Sequence, residues 1–79
     1  MRGMPSDRRR LPNQLGGAVR ELRLAAKLSQ MTLAEKAGLT LNYLGEVERG
    51  EKLASLETIV RIASGLGLKG ADLLTKAKL

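Results

Sequence analysis

The chain has 79 residues, 43% of them apolar but only one aromatic, Tyr43, and it carries a formal charge of +6. That length allows one small domain with a modest core, built here of Leu, Ala, Val and Ile. With no cysteine and no histidine, disulfides, zinc clusters, thiol nucleophiles and imidazole bases are excluded together.

The charge is unevenly placed. Residues 1–30 hold seven Arg or Lys against two acidic residues, whereas residues 31–79 hold seven against six. A positive field concentrated near the N-terminus suits a polyanionic partner. No apolar run approaches the ~20 residues that span a bilayer. The first basic residues lead into Leu11-Pro12-Asn13-Gln14 rather than a hydrophobic stretch, so no signal peptide is expected. The scattered Ser, Lys and carboxylate residues form no nucleophile–base pair or metal-ligand cluster. The expectation is a soluble cytoplasmic protein that is not an enzyme and uses no cofactor, metal or small-molecule ligand.

Residues 1–12 read as a flexible basic arm, with Gly3, Pro5, Ser6 and Pro12 around Arg8-Arg9-Arg10. Such an arm either lies along phosphates or enters a minor groove, or is a solubilising terminus. The folded domain is placed at 13–79. Its first helix is expected from Asn13, as cap, to Lys27, with Leu15, Ala18, Val19, Leu22 and Ala26 forming the buried stripe. Gly16 and Gly17 weaken its first turn by about 1 kcal/mol each relative to Ala.

The stretch Ser29–Gly50 reads as two short helices joined by the tight turn Gly38-Leu39-Thr40. Met31, Leu33, Ala34 and Ala37 recur at helical spacing before the turn, and Leu44 and Val47 after it. Gly38 can take the positive φ that ends a helix, and Thr40 can cap the next one. The small Ala34 allows close approach, with Leu39 plugging the angle; this is a helix-turn-helix pattern. On the second of these helices, about Leu41 to Arg49, the outward positions are Thr40, Leu41, Asn42, Gly45 and Glu46. Asn42 can bond adenine bidentately, Glu46 can accept from a cytosine amino group, and Leu41 can press on a thymine methyl. Tyr43 either reaches a phosphate through its hydroxyl or packs beside the first helix. No arginine or lysine is expected on this face to read guanine.

Arg49 and Lys52 follow as phosphate contacts, with Glu51 an acidic neighbour. Ser55 should cap a fourth helix whose Leu56, Ile59, Val60, Ile62 and Ala63 make it the central packing helix. Gly65-Leu66-Gly67-Leu68-Lys69-Gly70 formally satisfies G-x-G-x-x-G. That signature must follow a strand, and here it follows a helix, so the dinucleotide reading is rejected. The last helix, about Gly70 to Ala77, carries Leu73, Leu74 and Ala77 ahead of the terminal Leu79. These apolar residues belong either to a dimer interface or to packing within the domain.

In order and spacing, Ser29-Gln30, Leu33-Ala34, Gly38 and Glu48-Arg49-Gly50 resemble the Xre/Cro family of bacterial and phage helix-turn-helix regulators. The resemblance runs from about Leu15 to Leu74. It includes Arg20 and Arg23, Ser55-Leu56-Glu57-Thr58 and Leu66-Gly67-Leu68. It implies an all-α, compact five-helix lambda-repressor-like domain with the helix-turn-helix at helices 2 and 3. By the same resemblance, Arg23 pairs with Glu48, and Ser29, Gln30, Tyr43, Arg49, Lys52 and Ser55 are candidate phosphate contacts. The C-terminal helix would make a two-fold interface, setting two recognition helices about 34 Å apart. The expected function is sequence-specific, double-stranded DNA-binding transcription regulation as a homodimer. Leu41 and Gly45 replace polar residues that many relatives carry, which suggests a permissive reader. The rival expectation is a protein-interaction module or antitoxin-like protein using the same fold with a protein partner.

Overall fold

The computed structural model describes residues 10–79. Among them the backbone forms five helices and no strand: α1 (Arg10–Ala25), α2 (Gln30–Ala37), α3 (Leu41–Glu48), α4 (Leu56–Gly65) and α5 (Gly70–Lys76). The expected all-α, five-helix architecture is therefore present.

Local chemistry explains where each helix starts. Ser29, Thr40 and Ser55 have extended backbones, and their hydroxyls accept the N–H groups of Thr32, Tyr43 and Thr58 at 3.0, 3.0 and 3.1 Å. At α5 the carboxylate Oδ2 of Asp72 reaches back to the Lys69 N–H at 3.0 Å. Helix α1 begins at Arg10, ahead of the expected Asn13. Pro12 is tolerated because the first four N–H groups of a helix have no partner to lose. Of the expected basic arm, residues 1–9 lie outside the described residues, and 10–12 are helical.

One device closes all five helices. A left-handed residue follows the last turn, namely Lys27, Gly38, Gly50, Gly67 and Lys78, with φ of 60, 72, 75, 76 and 63°. The next N–H then bonds the carbonyl five residues back, as in Leu28 to Arg23 at 3.1 Å and Leu39 to Ala34 at 2.9 Å. This is why α1 stops at Ala25, two residues short of Lys27. The G-x-G-x-x-G segment is used the same way. Gly67 ends α4 and Gly70 opens α5, so the joint links two helices and offers no strand-to-helix loop.

Fully buried side chains from every helix meet in one core: Leu15 and Val19, Leu33, Leu44 and Val47, Ile62, and Leu73. Helix α2 packs on α4 and α3, α1 on α3 and α5, and α4 on α5. Ala34 and Ala37 are buried at the α2 contacts, and Leu39 packs half-buried against the core at the turn. Gly16, expected only to weaken α1, is where α1 lies directly against the end of α3. A Cβ there would collide with the carbonyl oxygens of Val47 and Glu48.

Two expectations are corrected. Leu56 and Val60 do not join Ile59, Ile62 and Ala63 in the core; they remain 69% and 50% exposed. Their side of α4 is turned away from the helices that cover the other. Leu73 and Ala77, expected at a dimer interface, are instead buried in the domain's own core. Helix α5 lies against α1 and α4, with Gln14 Nε2 donating to the Ala77 carbonyl at 3.2 Å. Of that expected set Leu74 is half-buried and Leu79 exposed. No described helix is long and apolar enough to cross a membrane.

The two neighbouring glycines make a paired test. Gly16→Ala should lower the unfolding free energy by about 1–3 kcal/mol, because backbone carbonyls must move apart. Gly17→Ala, with nothing within 4 Å of its added Cβ, should raise it by about 0.5–1 kcal/mol through helix propensity. Urea denaturation of the two variants measures both.

Candidate nucleic-acid interface

The angle of α3 is set by a buried polar junction. Arg23, near the end of α1, donates through Nε and Nη2 to Glu48 Oε2 and Oε1 at 2.7 and 3.0 Å, a two-pronged ion pair. Its Nη1 donates to the Leu28 carbonyl at 2.9 Å, tying in the loop before α2. Gln30 Nε2 donates to Glu48 Oε1 at 2.9 Å, tying in the first residue of α2. The side chains of Arg23 and Glu48 are only 9% and 2% exposed. Hydrogen bonding to Glu48 raises the Arg23 guanidinium above its ordinary pKa, against the opposing effect of burial. Among the described residues, no buried side-chain polar atom lacks a partner.

Gln30 is thus a correction. Its amide nitrogen, expected on a phosphate, is turned inward to Glu48. The buried carboxylate has more acceptor sites than Arg23 alone fills, and satisfying them in a low-dielectric site outweighs solvation of the amide. Ser29 and Ser55 are exposed, but their hydroxyls are engaged as helix caps and as donors to Thr32 and Thr58 Oγ1.

On α3, Leu44 and Val47 are buried, while Leu41 and Asn42 are exposed and Glu46 is half-buried. Thr40 is exposed at the helix start, its hydroxyl oxygen accepting the Tyr43 N–H. Tyr43 packs half-buried against the core, and Lys52 is exposed in the following loop. Thr40, Leu41, Asn42 and Glu46 therefore share one surface, with the helix N-terminus leading.

That surface also carries a cation that sequence reasoning missed. Gly45 is buried, because the Arg49 guanidinium folds back over it; a Cβ at Gly45 would lie 2.9 Å from Arg49 Nη1. Arg49 is held in this position by Glu51, with Nε to Oε2 at 2.9 Å and Nη2 to Oε1 at 3.2 Å. The expectation that no arginine stands on the α3 face is corrected. The spacing from 45 to 49 was the signal, since side chains four apart on a helix lie one above the other and lean toward the N-terminus.

Comparison with known proteins gives the same architecture a family. Residues 14–75 match the family described as helix-turn-helix domain. The control protein C.BamHI of Bacillus amyloliquefaciens is 38% identical over 60 residues, covering 75% of this chain and 74% of the relative. An immunity repressor protein of Bacillus phage phi105 is 38% identical over 55 residues; the match spans 70% of this chain but only 38% of that repressor. The crystal structure of the restriction-modification controller protein C.AhdI from Aeromonas hydrophila superposes with a TM-score of 0.76. It is 42% identical, and the match covers 78% of this chain and 94% of that one. The chain belongs to the helix-turn-helix domain family of regulators.

The junction beneath α3 has a testable energetic character. Replacing Arg23 or Glu48 singly by Met leaves a buried charge without its partner, a cost of roughly 3–5 kcal/mol. Replacing both removes the two charges together, so the double variant should be more stable than the sum of the single losses predicts. A double-mutant cycle by chemical denaturation measures this; strictly additive losses would contradict a coupled pair.

Proposed function

We propose that the chain regulates transcription as a homodimer in the cytoplasm, reading double-stranded DNA with the N-terminal part of α3 in the major groove. The observation that carries this reading is the buried Arg23–Glu48–Gln30 junction, which holds a short helix at a fixed angle with its outer side chains unobstructed. On that helix Asn42 reads adenine through a bidentate pair, Leu41 contacts a thymine methyl and Glu46 accepts from a cytosine amino group. The helix N-termini at Ser29 and Ser55, with free N–H groups and positive dipole ends, face phosphates. Tyr43 and Lys52 add backbone contacts. The relatives named as a repressor and as control proteins support a role at promoters, including the chain's own.

The dimer interface in this reading moves from α5 to α4. Leu56 and Val60 lie four residues apart on its exposed side, and Leu53, 54% exposed, precedes them. A second copy covering this patch by two-fold symmetry offers each residue an apolar partner. Such a pair presents two α3 helices to half-sites about 34 Å apart.

Fluorescence anisotropy on the chain's own upstream DNA and on a shuffled duplex, from about 50 to 200 mM salt, tests the reading. Binding should survive at the higher salt only on the upstream duplex. Equal binding to both that vanishes with salt would mean that only the net positive charge is engaged, favouring a protein partner instead. Asn42→Ala should cost about 1–3 kcal/mol on the preferred sequence alone, whereas Lys52→Ala should weaken both duplexes alike. Equal losses from Asn42→Ala on the two duplexes would argue against base reading there.

The interface is tested separately by sedimentation equilibrium. Val60→Glu and Leu56→Glu place a charge where an apolar contact is expected. At concentrations where the unaltered chain is dimeric, both variants should sediment as monomers with unchanged thermal stability. Persistence of the dimer would move the interface elsewhere.

A further inference from the structure

Four features of the α3 surface converge on one side chain. Arg49 stands on the outward side of the helix with Asn42, Gly45 and Glu46, at helical spacing from each. Helical side chains lean toward the N-terminus, so Arg49 reaches back along the surface by about one turn, 5.4 Å, toward the end that enters the groove. Gly45 makes that path possible. With any larger residue there, the side chain would occupy the space in which Arg49 Nη1 lies, 2.9 Å from an ideal Cβ.

Glu51 supplies the orientation. It accepts from Nε at 2.9 Å and from Nη2 at 3.2 Å, so it holds one edge of the planar guanidinium. The Nη1–Nη2 end of the fork stays directed away from Glu51. Hydrogen bonding to Glu51 also raises the Arg49 pKa, with Glu46 adding a smaller electrostatic contribution of the same sign. A freely rotating surface arginine pays side-chain entropy when it binds; one already clamped pays less.

We propose that Arg49 is a guanine-reading residue, seated in the gap left by Gly45 and buttressed by Glu51, its Nη1–Nη2 end addressing O6 and N7 of one guanine in each half-site. Guanine offers two acceptors side by side on its major-groove edge, the geometry that an arginine fork matches. The inference rests on the proposed major-groove docking of α3. It changes the role of Arg49 from a phosphate contact, indifferent to sequence, to a source of base preference.

The test begins with selection from a pool of random-sequence duplexes long enough for two half-sites. Dissociation constants then follow on the enriched duplex, on the same duplex with one guanine pair changed to adenine–thymine, and on the unselected pool. The unaltered chain should prefer the guanine duplex. Arg49→Lys keeps the charge but not the fork; it should lose that preference, roughly 5- to 150-fold, with little change on the unselected pool. Gly45→Ala, whose methyl displaces the guanidinium tip while favouring the helix, should lower preference at the same position. Glu51→Gln should lower guanine preference and raise binding to the unselected pool, because an unclamped arginine becomes an unselective phosphate contact.

A plain phosphate role makes the opposite forecast. Arg49→Lys and Gly45→Ala would then leave the enriched motif unchanged, and Glu51→Gln would raise binding to all duplexes by one factor; that pattern overturns the proposal. If the unaltered chain enriches no motif at all, the groove-reading function falls first and the role of Arg49 with it. Thermal unfolding of the three variants, all altered outside the hydrophobic core, verifies that each change acts on binding.

Discussion

The carboxylate of Glu48 is the point on which the structure depends. Three N–H groups converge on it, two from Arg23 and one from Gln30, and Arg23 also grips the Leu28 carbonyl. Through this one group α1, the loop before α2, α2 itself and the end of α3 are fastened together. The need for such a junction follows from length. Helices α2 and α3 have eight residues each, well below the roughly 12–15 at which isolated helices become even marginal in water. Their geometry must come from outside themselves. Apolar packing through Leu33, Leu44 and Val47 supplies most of the burial, but it is non-directional. The forked, buried ion pair adds direction, and its neighbour Gly16 lets α1 approach closely enough for the pair to form beside the α3 terminus.

With the angle of α3 held from beneath, its outer face is left to chemistry rather than to stability. Leu41 and Asn42 are exposed at the leading end, and removing them costs the fold little. Farther along, the Arg49–Glu51 clip lies across Gly45 and brings a cation onto a face that otherwise bears only Glu46 as a charge. The same short helix therefore combines an apolar contact, an amide, a carboxylate and a guanidinium within about two turns. Dimerisation extends the logic: the core absorbs Leu73 and Ala77, so the apolar surface that remains for a second copy belongs to α4.

How much of this was legible in the sequence follows from the range of the interactions. Helix starts at Ser29, Thr40 and Ser55 could be read because a cap acts over three residues. The turn at Gly38 could be read because its backbone requirement is local. The Arg23–Glu48 pair joins residues 25 apart; resemblance to a family named it, and no spacing rule did. Gly16 looked like a helix weakness because its collision partners, the carbonyls of Val47 and Glu48, are equally remote in sequence. Gln30 was assigned outward for want of knowing that Glu48 needed a third donor. For α4 and α5, hydrophobic residues were counted correctly but not sorted. Which leucines a core accepts depends on helix rotation, which left Leu56 and Val60 outside and drew Leu73 and Ala77 in.

Native-state hydrogen exchange tests the central claim most directly, because it reports the stability of α3 separately from that of the rest. If the Glu48 junction and the packing beneath it fix α3 as part of one cooperative unit, the amides of Leu44 to Glu48 should exchange only through global unfolding. They would then show the same opening free energy as buried amides of α1 and α4. If those α3 amides open with a clearly lower free energy while α1 and α4 remain protected, the recognition helix is a locally unstable element and the Glu48 junction does not hold it in place.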